Sequence, residues 1–210
     1  MKRLLLCTSL LLLAGSTLTY AALRPQQVIV VYNSHAWWSP ISKAVADYYC
    51  AARDIPESNE IGLSVPRSDE VMGPSEFVTY ILNDQGSNPG LRTFLSSRPG
   101  FDIDDPGSDP TMCIVLCYGI PLRIQGGGYT CSVDSALTLL FNPGPEPYTT
   151  GGLVTNPYFC AGSPTDPLDR DGKPADFGEF RESTYNSISV PGYTWKMRYL
   201  VCDQRDLSLA

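Results

Sequence analysis

Two short apolar runs stand out from the polar background of this chain: Val28-Ile29-Val30-Val31, leading into Tyr32, and Met112-Cys113-Ile114-Val115-Leu116-Cys117. Neither alternates with polar residues. Unbroken, largely β-branched runs of this kind predict strands buried on both faces, the habit of parallel sheets covered by helices on each side. Between them the pattern lengthens to helical spacing. Ser39-Pro40 supplies a hydroxyl cap and a proline at the first helical position. Ile41, Ala44, Val45, Tyr48 and Ala52 then recur at helical intervals, which predicts that their face is buried. Ile55-Pro56 ends this helix, because proline disfavours helical geometry in the residue before it. Glu60 to Val65 predicts a second strand. Pro74 opens a second helix with Phe77, Val78, Ile81 and Leu82 as its apolar stripe, and helix resumes over 91–97 after a break at Gly86 to Gly90. The acidic stretch from Pro99 to Pro110 predicts a loop. Gly126 to Gly128 predicts a turn, Ser132-Val133-Asp134 caps a short helix over 135–141, and Tyr199-Leu200-Val201-Cys202 begins another strand.

Strands alternating with helices predict a three-layer α/β fold with a mainly parallel sheet and right-handed crossovers. From Asn142 to Gly192 prolines and glycines recur and periodicity is lost, so a long Pro/Gly-rich C-terminal region follows the core. The expected organisation is residues 1–21 as a leader, 22–141 as the α/β core, and 142–210 as the Pro/Gly-rich region ending in the start of a further strand. Ligands of open parallel sheets bind beyond the carboxyl ends of the strands. That rule selects Asn33 to Trp38, Tyr118 to Arg123 and the start of the Ser132 helix, with Asn33, Tyr118, Arg123, Ser132 and Asp134 as candidate ligand-binding residues.

The first residues change the setting. Lys2 and Arg3, the apolar run Leu4 to Leu13 and the closing Thr19-Tyr20-Ala21 form an export signal. The run is shorter than the roughly 20 residues of a spanning helix. The mature chain is expected to begin near Ala22 and to be periplasmic or extracellular, with no membrane anchor once the signal is cleaved. The leader carries two positive charges and no acid, so its removal moves the formal net charge from −7 to −9. Such an acidic chain repels phosphate backbones and anionic lipid heads, which sets nucleic acid and membrane surfaces aside as partners.

Six cysteines follow the leader: Cys50, Cys113, Cys117, Cys131, Cys160 and Cys202. An even count in an oxidising compartment favours disulfides. Cys113 and Cys117 share one strand face about 13 Å apart, too far to bridge each other. The spacings match no common zinc pattern, so no metal or cofactor is expected. His35, the single histidine, follows the first strand and Cys117 ends the central one, which makes them the candidate base and nucleophile of a thiol hydrolase. Arg123 has Asp134 and Asp47 as possible partners, or an anionic ligand group. Trp37 and Trp38 offer a stacking surface for sugar rings, with at most one of the two exposed. Asp166, Asp169 and Asp171-Gly172 resemble part of a calcium loop but lack the acid at its first position, and read as a solvated turn.

Several blocks in order also resemble an exported bacterial family of uncharacterised function. These are Tyr48-Tyr49-x-x-x-Arg53-x-Ile55-Pro56, Leu116-Cys117-Tyr118-Gly119-Ile120-Pro121-Leu122-Arg123-Ile124, Ser132-Val133-Asp134-Ser135, Asn156-Pro157-Tyr158 and Tyr199-Leu200-Val201. More distantly, the order of buried strands and the downstream Ser-Asp segment are similar to the gingipain-like cysteine peptidases. That likeness implies a Rossmann-like or caspase-like sheet. Their catalytic histidine and cysteine follow neighbouring strands, whereas the turn after the central strand here, Tyr118-Gly119-Ile120, carries no histidine and no later strand carries a cysteine in a recognisable context. In the resembled family Tyr-Leu-Val runs on through Arg-Leu-Asp-Gly. Here it continues as Cys202-Asp203-Gln204, which leads to the expectation of a truncated or frame-shifted form. Two functions follow as expectations: a non-catalytic binding or structural domain with a crevice at the strand ends, or a hydrolase using Cys117 and His35.

Overall fold

A computed structural model of the chain describes residues 23–66, 70–105, 110–126, 129–142, 187–190, 193–196 and 198–204. The leader, the acidic turn near Asp171, Asn156-Pro157-Tyr158 and Cys160 lie outside these residues. Four strands form one wholly parallel sheet: β1 (Val28–Asn33), β2 (Glu60–Leu63), β4 (Cys113–Cys117) and β9 (Leu200–Gln204), in the order β2-β1-β4-β9. The two apolar runs are neighbours, with Val28 opposite Cys113 and Val31 opposite Leu116. Cys113 in turn lies opposite Leu200.

Because side chains alternate across a strand, the two runs feed two separate cores. Val28, Val30, Cys113, Val115 and Cys117 pack beneath α1 (Ser39–Ala52), together with its Val45, Ala46 and Cys50. Ile29, Val31, Ile114, Leu116 and Val201 face the opposite layer. That layer holds α2 (Pro74–Phe77), a π-helical turn over Val78–Leu82, α3 (Leu91–Ser96) and α4 (Val133–Thr138). The arrangement is a three-layer α/β fold.

Local chemistry explains several boundaries. Glu76 Oε2 accepts from the Gly73 backbone N–H at 2.7 Å and fixes the start of α2. Ser132 caps α4 with its Oγ, which accepts from the Ser135 N–H at 3.4 Å. At the amino end of the sheet, the amide nitrogen of buried Asn59 donates to the Gln26 and Val28 carbonyls, both at 2.9 Å. Its oxygen accepts from Arg98 Nη1 at 3.0 Å.

Three sequence expectations shift. Helix α1 is capped by Trp38, so Ser39 is its first helical residue and Pro40 its second. Its buried face is Ser42, Val45, Ala46 and Cys50, while Ile41 and Tyr48 stand exposed. Both stripes have helical spacing; the small Ser42 and Ala46 allow close approach to the sheet, and bulky Tyr48 does not. The third shift is a small sheet, order β3-β5-β6, that the sequence did not announce. Its strands are β3 (Val71–Met72), β5 (Arg123–Gly126) and β6 (Tyr129–Ser132), with β3 parallel and β6 antiparallel to β5. Two more strands, β7 (Ser187–Val190) and β8 (Tyr193–Lys196), pair antiparallel in the 142–210 region. Among the described residues no helix is long and apolar enough to cross a membrane.

Candidate functional site at the strand ends

Asn33 ends β1 and is 0% exposed. Its amide nitrogen donates to the Val65 carbonyl at 3.0 Å and to the Gly119 carbonyl at 2.7 Å. Its amide oxygen accepts from the His35 N–H at 2.9 Å and from the Val65 N–H at 3.2 Å. An amide side chain has two donor hydrogens and two acceptor positions, and all four are used here. Its backbone N–H is taken by Ser42 Oγ at 2.8 Å. One side chain therefore ties together the segments that follow β1, β2 and β4. Asn33 has no remaining hydrogen-bonding capacity for a ligand; its part is to hold the strand-end loops together.

The loops that Asn33 holds carry aromatic rings. Trp38 and Tyr118 meet edge to face with centroids 5.3 Å apart. Trp37 projects at 78% exposure and Tyr118 at 40%. The half-buried His35 packs edge-on to Trp37, centroids 6.3 Å apart. The lip closes tightly at Gly119, whose φ is +95°. A Cβ there would come within 3.3 Å of Trp38 and 3.4 Å of the Asn33 Cβ. The left-handed backbone and the close neighbours both require glycine. Gly119→Ala is expected to destabilise the protein by about 1–3 kcal/mol, read by urea denaturation; an unchanged midpoint would contradict this.

A second group of candidates lies on the small sheet. Arg123 and Ser132 face each other across the β5–β6 pair. Arg123 is exposed, and its backbone N–H donates to the Glu70 carbonyl at 3.1 Å. Among the described residues its guanidinium pairs with neither expected carboxylate. Asp47 is held by Lys43, whose ammonium also sits 3.1 Å from Glu60 Oε1. These two carboxylates hold the Lys43 ammonium well above its usual range, the Asp47 hydrogen bond contributing most. Asp134 occupies the first turn of α4, half-buried, where the helix N-terminus favours a carboxylate. Neighbouring Cys131 is pushed up to about 11, first by burial and then by the Asp134 charge. Ser132 Oγ also donates to Ser135 Oγ at 2.8 Å. Among the described residues, no hydrogen bond or ion pair links this polar group to the aromatic lip.

Cys117 is 1% exposed and belongs to the core beneath α1. The imidazole of His35 is turned towards Trp37 rather than into that core. Among the described residues no group of three His, Cys, Asp or Glu side chains could hold a metal ion. Cys50, Cys113, Cys117, Cys131 and Cys202 form no disulfide with one another. No family model, curated protein or solved structure matches the sequence.

Sequence reasoning found Asn33 and Tyr118 through the strand-end rule. The same segments contained Trp38 and Gly119, but nothing tied them to Asn33, and Val65 lay outside them. The Tyr118-Gly119-Ile120 turn was the available signal, since a glycine just beyond a buried strand often marks close backbone approach.

Proposed function

We propose that this chain is an exported, non-catalytic binding domain that takes its ligand at the carboxyl ends of the main-sheet strands. The observation that carries the reading is the rigid aromatic lip. Trp37 and Tyr118 are large exposed rings on loops that Asn33 fixes to the sheet, so their contact area is presented without a heavy ordering penalty. Arg123 stands exposed on the neighbouring small sheet with its charge available to a polar or anionic ligand group. The hydrolase alternative draws no support from this geometry, because a nucleophile needs an approach path and Cys117 is buried.

Flat rings on an acidic exported protein suit polarised C–H faces, which makes neutral oligosaccharides the first class to test. Titration with soluble chito- and xylo-oligosaccharides, followed by tryptophan fluorescence, is expected to give a saturable change. Trp37→Ala should weaken that binding by about 30-fold, the scale of a central tryptophan contact, with the melting temperature unchanged. No saturable change with any oligosaccharide would remove the glycan reading. Amidase activity lost in Cys117→Ala would overturn the non-catalytic one.

A further inference from the structure

We propose that the outward face of α1 pairs with the same face of a second copy of this chain, giving a weak antiparallel dimer with two-fold symmetry. Helix α1 is apolar on two sides. Ser42, Val45, Ala46 and Cys50 pack on the sheet, while Ile41, Ala44, Tyr48, Ala51 and Ala52 are turned outward. Among the exposed residues of this helix, Asp47 alone is charged. Ile41 is 49% exposed and Tyr48 58%. The outer helix of an α/β layer ordinarily turns polar side chains to water, and a helix apolar on all sides belongs in an interior. Ile41, Ala44, Tyr48 and Ala51 follow one another at intervals of three, four and three residues, the spacing of a seam along which one helix packs on another.

A second copy fits this seam because the seam complements itself, as a two-fold interface requires. With the two-fold axis level with Ala46, Tyr48 of each copy meets Ala44 of the other and Ile41 meets Ala51, large against small at each level. A parallel pair would instead set Tyr48 against Tyr48 and leave Ala44 facing Ala44 across a gap. The charges match as well. Asp47 is held by Lys43 on one flank of the seam. Like flanks meet in an antiparallel pair, so Lys43 of each copy falls about half a turn from Asp47 of the other. Ammoniums and carboxylates then alternate along the flank, and Lys43 keeps Glu60 Oε1, at 3.1 Å, as a further partner.

The area sets the strength. The half-exposed Tyr48 and Ile41, with the outward alanines, bury about 400 Å² per copy and about 800 Å² in the pair. Stable complexes bury about 1,200–2,000 Å², so this dimer is a reversible one, with a Kd on the order of 100 µM. Trp37 lies one turn before Ile41 and comes level with Ile55 of the second copy, past the end of its α1. The aromatic lip therefore stays open, and the dimer carries one lip at each end of the helix pair. The pairing does not depend on what that lip binds.

Sedimentation equilibrium of the purified protein from about 5 µM to about 1 mM tests the proposal, with a monomer–dimer transition expected at a Kd on the order of 100 µM. Ala44→Glu sets a carboxylate against Tyr48 of the second copy and should raise the Kd at least about tenfold. Tyr48→Ser, which removes the ring, should raise it by about the same factor. Both positions are exposed in the single chain, so neither variant should change the melting temperature of the dilute protein. Hydroxyl-radical labelling of Tyr48 should be strong in dilute protein and fall at least about twofold at about 1 mM. A chain still monomeric at the highest concentration, or a dimer whose Kd either variant leaves unmoved, would overturn the proposal. Protection of Tyr48 in the dilute monomer would also overturn it, because another part of the same chain would then cover the face.

Discussion

Replacing Asn33 with alanine is expected to destabilise the protein by about 3–5 kcal/mol, a large part of the roughly 5–15 kcal/mol that holds a typical domain together. The substitution removes four hydrogen bonds at once. It leaves the N–H groups of His35 and Val65 and the carbonyls of Val65 and Gly119 without their partner. Each buried unpaired group costs about 1–3 kcal/mol, and partial relaxation of the loops keeps the total below the simple sum. The expected fall in melting temperature is roughly 6–20 °C. Asn33→Asp should be no milder, because a carboxylate offers no donor to the two carbonyls and brings a charge to a buried position. The discriminating feature is location. The loops after β1, β2 and β4 should loosen together, seen as concerted loss of amide protection from His35, Val65 and Ile120. A loss below about 1 kcal/mol would mean the loops hold their positions without the asparagine.

Arg198→Ala is the second large effect, again about 3–4 kcal/mol. Arg198 is 2% exposed. Its guanidinium carbon lies 4.6 Å from the Phe101 ring centroid and 5.4 Å from that of Phe141. Nη1 donates to the Ile103 carbonyl at 3.1 Å and Nη2 donates to the Asp102 carbonyl. Its backbone N–H reaches the Thr138 carbonyl at 2.8 Å, at the end of α4. The side chain thus fastens the 101–105 segment to the junction between α4 and β9. Arg198→Lys keeps the charge and a ring contact but has no planar fork for two carbonyls, so about half of the loss should remain. Limited proteolysis should cut the alanine variant first near Ile103, which is already exposed. Equal stability of the arginine and lysine forms would show that charge and packing matter here and the fork does not.

The central sheet was legible because its strands are buried on both faces. Val28–Val31 and Met112–Cys117 admit few other readings, and their parallel pairing follows from the helices between them. The small sheet was not legible for a related reason. Val71-Met72 and Arg123 to Gly126 are too short to show a period, and what orders them is their pairing with one another. In α1, two stripes of equal periodicity competed, and the choice was made by side-chain size against the sheet, which no count of apolar residues records. At the site, the strand-end rule located Asn33 and Tyr118. It carries no information on direction, so an asparagine whose amide is turned wholly inward looks the same in sequence as one facing a ligand. Arg123 is the converse case. The sequence offered it two carboxylate partners, and the fold commits Asp47 to Lys43 while leaving Asp134 at the head of α4.

The account rests on the strand-end loops being one rigid platform joined through a single buried amide. Native-state hydrogen exchange, resolved at the His35 and Val65 N–H groups, tests this directly. Both donate to Asn33 Oδ1, so both should exchange as slowly as the β1 amides, through global unfolding alone. Exchange at the rate of the open segment around Ile103, with β1 still protected, would show that the loops move independently and that no preformed crevice exists.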